Sequence, residues 1–193
     1  MGPAEKQADT RTGSLSPPHR TLRERCLAID WLVLDVDGTL TSGGIVYADD
    51  GPEWKQFHVR DGSGLKIWQY LGKKSAILTG RTSSIVDRRA AEVGVEVVIQ
   101  GAPDKMPAYR RLLQDQGLRP EQVCCVGDDV PDLPVMRNCG LAVAVADACP
   151  DVLAASHYVT RAAGGRGAVR ETLEMILHCQ GMWQKLLERF DRE

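Results

Sequence analysis

No apolar stretch in this 193-residue chain reaches the roughly 18 residues that a membrane-spanning helix needs, and no apolar core precedes a cleavage site near its start. Neither a membrane span nor a signal peptide is therefore expected, and the chain is read as cytoplasmic. An excess of one charge is missing too. The 24 basic residues face 26 acidic ones for a formal net charge of -2, which argues against a general nucleic-acid or membrane-surface binder and for a small-molecule ligand. The six cysteines include no CxxC pair, and Cys124-Cys125 lies inside an apolar run, so buried thiols in a reducing compartment are expected rather than a zinc site. Gly62-Ser63-Gly64 lacks the third glycine and the acidic ribose reader of a dinucleotide site. No internal repeat is visible. What remains, 43% hydrophobic and 26% charged residues, suits one globular domain large enough to bury a core.

The chain is organised around Asp35-Val36-Asp37-Gly38-Thr39, which follows directly on the apolar run Trp31-Leu32-Val33-Leu34. Such a run, ended by a glycine turn, reads as a buried parallel strand, so both carboxylates emerge at a strand's C-terminal end, where open α/β sheets place ligands. Alternation along the strand lets Asp35 and Asp37 share a face, while Gly38 frees the backbone to turn. Two acids this close repel unless a cation lies between them or one holds a proton. A metal-dependent site is the chemical reading, and an Asx-type turn ending a strand is the structural alternative.

Residues 1 to about 20 are polar and carry Gly2-Pro3, Gly13-Ser14 and Pro17-Pro18, so a disordered tail is expected, drawn over 1–24, with a short lead-in helix at 20–29. The main domain is drawn over 25–180 and a C-terminal helical tail over 181–193. Ile45-Val46-Tyr47 and Trp54-Lys55-Gln56-Phe57 flank Asp49-Asp50-Gly51, which reads as a β-hairpin at about 43–58. Its aromatics lie exposed unless something packs on them, and self-association through the hairpin is the inference. Helices are expected at 64–71, 83–93, 103–116, 168–179 and 182–190, and strands at 75–78, 95–99, 123–126 and 141–145, the last clear strand. Gly164-Gly165-Arg166-Gly167 reads as a flexible loop. Alternating strand and helix predict an α/β fold, a parallel sheet with helices on both faces.

Three polar signals fall at strand C-terminal ends, namely Asp35 to Thr39, Thr79-Gly80-Arg81 and Gly127-Asp128-Asp129, and Lys105 falls at a helix start. Adjacent parallel strands bring such ends onto one rim. In this order the set resembles the four motifs of the haloacid dehalogenase phosphohydrolase superfamily, with Asp132 closing the last. The stretches Phe57-His58-Val59-Arg60-Asp61-Gly62, Ala144-Val145-Ala146-Asp147-Ala148, Tyr158-Val159-Thr160-Arg161 and 164–171 are similar to the 3-deoxy-D-manno-octulosonate 8-phosphate phosphatase family, enzymes of lipopolysaccharide sugar synthesis. The resemblance covers about 30–180.

That resemblance implies a Rossmann-like, haloacid dehalogenase-like fold without a cap domain, and a magnesium-dependent phosphoric monoester hydrolase. Asp35 is implied as nucleophile, Asp37 as general acid and base, and Thr79 and Lys105 as phosphate-binding and charge-offsetting groups. Mg2+ is implied on the Asp35 carboxylate, the Asp37 backbone carbonyl and Asp128, with Asp129 and Asp132 orienting ligands. The phosphorylated sugar acid is implied to meet Asp37, His58, Val59, Arg60, Asp61, Gly62, Lys66, Arg81, Arg89 and Lys105. A related phosphatase for a nine-carbon 9-phosphate is expected to carry Glu where this chain has Arg81, which favours the eight-carbon substrate. The family's homotetramer, with hairpins roofing neighbouring sites, is implied as well. The alternatives are a phosphatase for another keto-sugar acid phosphate and a non-catalytic oligomerisation domain.

Overall fold

The computed structural model describes residues 20–47, 49, 51 and 53–190. The first element, helix α1 (Leu22–Ala28), is set by a capping box in which the Thr21 side chain and the Glu24 side chain satisfy each other's backbone N–H groups. It falls within the lead-in helix expected at 20–29, so Leu22 to Glu24 of the segment drawn as tail form the first helical turn; residues 1–19 of that segment lie outside the described set. Strand β1 (Trp31–Leu34) is buried throughout. The hairpin follows as β2 (Val46–Tyr47) and β3 (Glu53–Trp54), antiparallel with Val46 opposite Trp54 and Tyr47 opposite Glu53. Part of its expected turn lies outside the described residues.

Helix α2 spans Val59–Tyr70, starting five residues before the sequence reading places it. Gly62 and Gly64 inside this helix are close-packing points. A Cβ on Gly62 would stand 2.2 Å from Arg89 Nη2, and one on Gly64 would stand 3.0 Å from Arg170 and Leu173 of a neighbouring helix. Then come β4 (Lys74–Leu78), α3 (Ser84–Val93), β5 (Val97–Ile99) and α4 (Lys105–Gln116). Gly94 and Gly117 end the two helices in the left-handed region, as a glycine just past a helix end does. Next are β6 (Val123–Gly127), α5 (Leu133–Met136), β7 (Leu141–Ala144), α6 (Pro150–Ala155), β8 (Tyr158–Val159), α7 (Ala168–Cys179) and α8 (Met182–Phe190). The short pieces α5, α6 and β8 carry too few residues to show a period, so the expectation that β7 is the last strand is corrected by β8.

Six strands form one parallel sheet in the order β5-β4-β1-β6-β7-β8. Helices α1, α2, α3, α7 and α8 pack among themselves, α4 to α6 form a second group, and the sheet lies flanked by helices. Its centre is dry: Leu32, Leu34, Trp68, Tyr109, Leu173 and Ile176 are fully buried. The chain leaves β1 for strands on both of its sides, so the C-terminal ends of β4, β1 and β6 surround one crevice, the usual ligand position of such sheets. No helix among the described residues is long and apolar enough to cross a membrane.

Candidate active site

The backbone turns abruptly after β1. Asp35 N–H still donates to Val126 O of β6, and then the N–H groups of Thr39, Leu40 and Thr41 all converge on Val36 O. Gly38 makes this turn with φ of 100°, and a Cβ there would stand 2.0 Å from Asp128 Oδ2, so only glycine lets Asp128 approach. From the other side, the Gly-rich segment buttresses the same turn. Gly165 N–H donates to Thr39 O, Gly164 N–H donates to Asp147 Oδ1, and a Cβ on Gly164 would fall 1.7 Å from Gly38 O. The segment read as a flexible loop is a packed wall here, which its sequence shows only as a need for small residues.

Asp35, Asp37, Thr79, Arg81, Lys105, Asp128, Asp129 and Asp132 line one cavity of about 320 Å³. Lys105, 4% exposed, donates 2.6 Å bonds to Asp35 Oδ1 and to Asp132 Oδ1. Asp132 Oδ2 accepts from the N–H groups of Asp128 (3.1 Å) and Asp129 (3.3 Å), and Thr39 Oγ1 donates to Asp128 Oδ1 at 3.1 Å. Thr79 is buried and its hydroxyl accepts from Arg81 N–H at 3.4 Å. Asp129 is exposed and caps the short turn that follows it through a 2.8 Å bond from Val130 N–H.

The charges here do not balance. Burial pushes the Asp35 carboxyl up to about 6, with Lys105 opposing and Asp132 adding. Burial, then the repulsion of Asp35 and Asp132, lifts Asp128 to about 7. Burial alone would depress the Lys105 ammonium, but Asp35 and Asp132 hold it above the ordinary lysine range. Three carboxylates that gather oxygens within 4.8 Å around a single ammonium form a donor set suited to a hard cation. A metal ion fits this cluster. Asp132 is already committed to Lys105 and two N–H groups, which leaves Asp35 and Asp128 as the pair with capacity to spare.

Comparison with known proteins follows the same line. The chain is 45% identical over 157 residues to the 3-deoxy-D-manno-octulosonate 8-phosphate phosphatase of Yersinia pestis, covering 81% of this chain and 84% of that one. This chain belongs to the 3-deoxy-D-manno-octulosonate 8-phosphate phosphatase family. The Salmonella typhimurium phosphatase of that name is 42% identical over 94% of this chain and 95% of its own. A family member from Moraxella catarrhalis, crystallised in complex with a magnesium ion, a phosphate ion and a KDO molecule, superposes with a TM-score of 0.85 at 39% identity, over 87% of this chain and 97% of that one. Residues 95–171 match the family model of haloacid dehalogenase-like hydrolases.

Not every residue that the octulosonate phosphatase resemblance implies lies at the cavity of the single chain. Of the expected substrate contacts, Asp37, Arg81 and Lys105 line it, whereas His58, Val59, Arg60, Asp61, Gly62, Lys66 and Arg89 do not. Val59, Arg60 and Lys66 are exposed on α2. His58, Asp61, Gly62 and Arg89 line a separate narrow crevice beside Phe57. There Arg89 lies 5.5 Å from the Phe57 ring, pairs with Glu92 at 3.0 Å and donates to His58 O at 3.4 Å. In the single chain the Asp61 carboxylate accepts from Gly167 N–H (3.2 Å) and Arg170 N–H (2.7 Å) and so caps α7 from another helix. The sequence reading missed Lys55 and Glu53. Lys55 donates to Asp37 Oδ1, and Glu53 accepts from Arg81 at 2.9 Å. Their signal was the alternation Glu53-Trp54-Lys55, which turns two charges away from the aromatic face.

Proposed function

We propose that this chain hydrolyses 3-deoxy-D-manno-octulosonate 8-phosphate to the free sugar acid and inorganic phosphate. The observation that carries the reading is the cavity in which Asp35, Asp128 and Lys105 meet at the end of β1, in a chain 45% identical to a phosphatase of that name. An Asp35 carboxylate oxygen attacks phosphorus, the bond to the sugar oxygen breaks, and Asp37 gives that oxygen its proton. Water then attacks the aspartyl-phosphate, Asp37 takes a proton from it, and the bond from phosphorus to Asp35 breaks. Lys105, bonded to Asp35, and the buried Thr79 hydroxyl meet the charge on the phosphoryl oxygens. Asp35, Asp128 and the Asp37 carbonyl are the residues that would hold Mg2+, whose positive charge would offset the repulsion between nucleophile and phosphate. Asp132 holds Lys105 and the Asp128 backbone in place from behind, and Asp129 caps the turn that carries Asp132.

Arg81 is the cavity's guanidinium and the group best suited to the substrate carboxylate. The exposed hairpin supports a homotetramer in which neighbouring copies roof the cavity, for Val46, Tyr47 and Trp54 are 57%, 70% and 65% exposed in one chain. Such a neighbour also offers a route by which His58 to Gly62, Lys66 and Arg89 reach a substrate. Two assays test the reading. Asp35→Asn should abolish release of phosphate from p-nitrophenyl phosphate, and activity equal to the parent would reject the nucleophile. Among phosphorylated keto-sugar acids, kcat/KM should be greatest for the eight-carbon 8-phosphate, and a preference for the nine-carbon 9-phosphate would reject the substrate.

A further inference from the structure

The Lys55 side chain is only 2% exposed, although lysine is among the residues least often buried. Its ammonium donates to Asp37 Oδ1 and lies 3.3 Å from Glu53 Oε1. Glu53 in turn accepts from Arg81 Nη2, and Arg81 Nε stands 3.6 Å from the second Asp37 oxygen, Oδ2. Four alternating charges thus form a ring that is closed except at one place. The two atoms flanking that gap, Asp37 Oδ2 and Arg81 Nε, are buried and make no hydrogen bond. At 3.6 Å they are too far apart to bond each other, and an oxygen set between them reaches both.

We propose that Lys55 is a positioning residue for Asp37: it anchors the carboxylate through Oδ1 and reserves Oδ2 for the oxygen with which Asp37 exchanges a proton. An oxygen in the gap accepts from Arg81 Nε–H and shares a proton with Asp37 Oδ2. The departing sugar oxygen carries none and receives it from Asp37, whereas the attacking water gives one up to Asp37. Unanchored, the carboxylate turns about two side-chain torsions, and small misplacement of a reacting group is costly in rate. A charge-assisted bond from a buried ammonium removes that freedom more firmly than water does. The hairpin thereby supplies a working part of the site as well as an apolar face.

This inference rests on the phosphatase reading, and its test separates the two. Lys55→Met keeps the stem without the charge, and Lys55→Arg restores a cationic donor. Each is made in the parent and in an Asp37→Asn background, with circular dichroism as the check on folding. Two esters are compared by kcat/KM, which reports events up to the first cleavage: the octulosonate 8-phosphate, whose alkoxide must be protonated as it leaves, and p-nitrophenyl phosphate, whose phenolate leaves unaided. Lys55→Met should lower the value for the sugar ester roughly 10- to 100-fold, through kcat rather than KM, with a much smaller loss on the aryl ester. Lys55→Arg should recover most of it, and in the Asp37→Asn background Lys55→Met should cost nothing further. Equal losses on both esters, or losses that add to those of Asp37→Asn, would overturn the assignment. If Lys55→Met does not fold, Lys55→Gln carries the same comparison. A parent chain that hydrolyses neither ester would instead sink the phosphatase reading itself.

Discussion

At the scale of single residues, the site depends on contacts that leave no space for a side chain. Gly38 combines a φ of 100° with a would-be Cβ 2.0 Å from an Asp128 oxygen, so Gly38→Ala strains the backbone and drives Asp128 away from Asp35 at once. Its kcat/KM on p-nitrophenyl phosphate should fall by about 10²-fold or more while circular dichroism stays that of the parent. A result within experimental error of the parent would show that Asp128 need not stand where it does. The two carboxyls and the threonine of the first motif were legible from the chain alone, because strand alternation and a glycine turn are local rules. Lys105 was legible only as one of four ordered signals, its role coming from the resemblance. Its bonds to Asp35 and Asp132, 70 and 27 residues away, belong to the folded chain.

At the scale of elements, α7 is held at its start by groups from elsewhere. Gly167 precedes it without a capping side chain, and Asp61 of α2 supplies the missing acceptor from 106 residues away in sequence. Asp61→Ala should therefore destabilise the protein by about 1–3 kcal/mol, read from urea unfolding, since it leaves buried N–H groups unpaired. A change within a few tenths of a kcal/mol would mean that α7 does not need the cap. Glu171 works in the reverse direction, from α7 back to the chain before it, accepting from Tyr158 OH, Arg161 N–H and Ala162 N–H. Burial works to raise its carboxyl, but these bonds outweigh burial and hold it below its ordinary value of 4.5. A folded-state value lowered below the unfolded one means that the stabilisation is whole above the unfolded value and is lost as the pH falls from there through the folded value. Glu171→Gln should cost about 1–2 kcal/mol at pH 7 and progressively less on acidification below 4.5. A cost that does not change with pH would assign the effect to shape instead of charge. Neither tie was legible beforehand, because each joins segments that no periodicity relates.

At the scale of the whole molecule, the order β5-β4-β1-β6-β7-β8 decides that the ends of β1, β4 and β6 share one crevice, and nothing sizeable among the described residues covers it. Water must still be kept from the phosphoryl group, and the exposed hairpin beside the crevice is the element proposed above to recruit a cover. Trp54→Asp puts a charge on its apolar face and should lower the mass found by light scattering to that of a smaller assembly. A variant that keeps the parent mass would show that the hairpin is not the contact. Trp54 turns outward while Glu53 and Lys55 on either side of it reach Arg81 and Asp37, so the proposed assembly contact and the proposed anchor of Asp37 meet in one hairpin.

The chain by itself determined the alternation of strand and helix, the buried β1, the acidic pair at its end and the polar signals that recur at later strand ends. Each of these is written in neighbouring residues, through apolar runs, glycine stops and the period of a strand or helix. Only the tertiary structure decided that Gly62 and Gly64 are packing points inside a helix, that Asp61 caps a distant helix, that the Gly-rich segment is a wall behind the first motif, and that Lys55 holds Asp37. These four depend on which surfaces meet across the fold, and that choice is made by the burial of the sheet as a whole, which no short window of sequence contains.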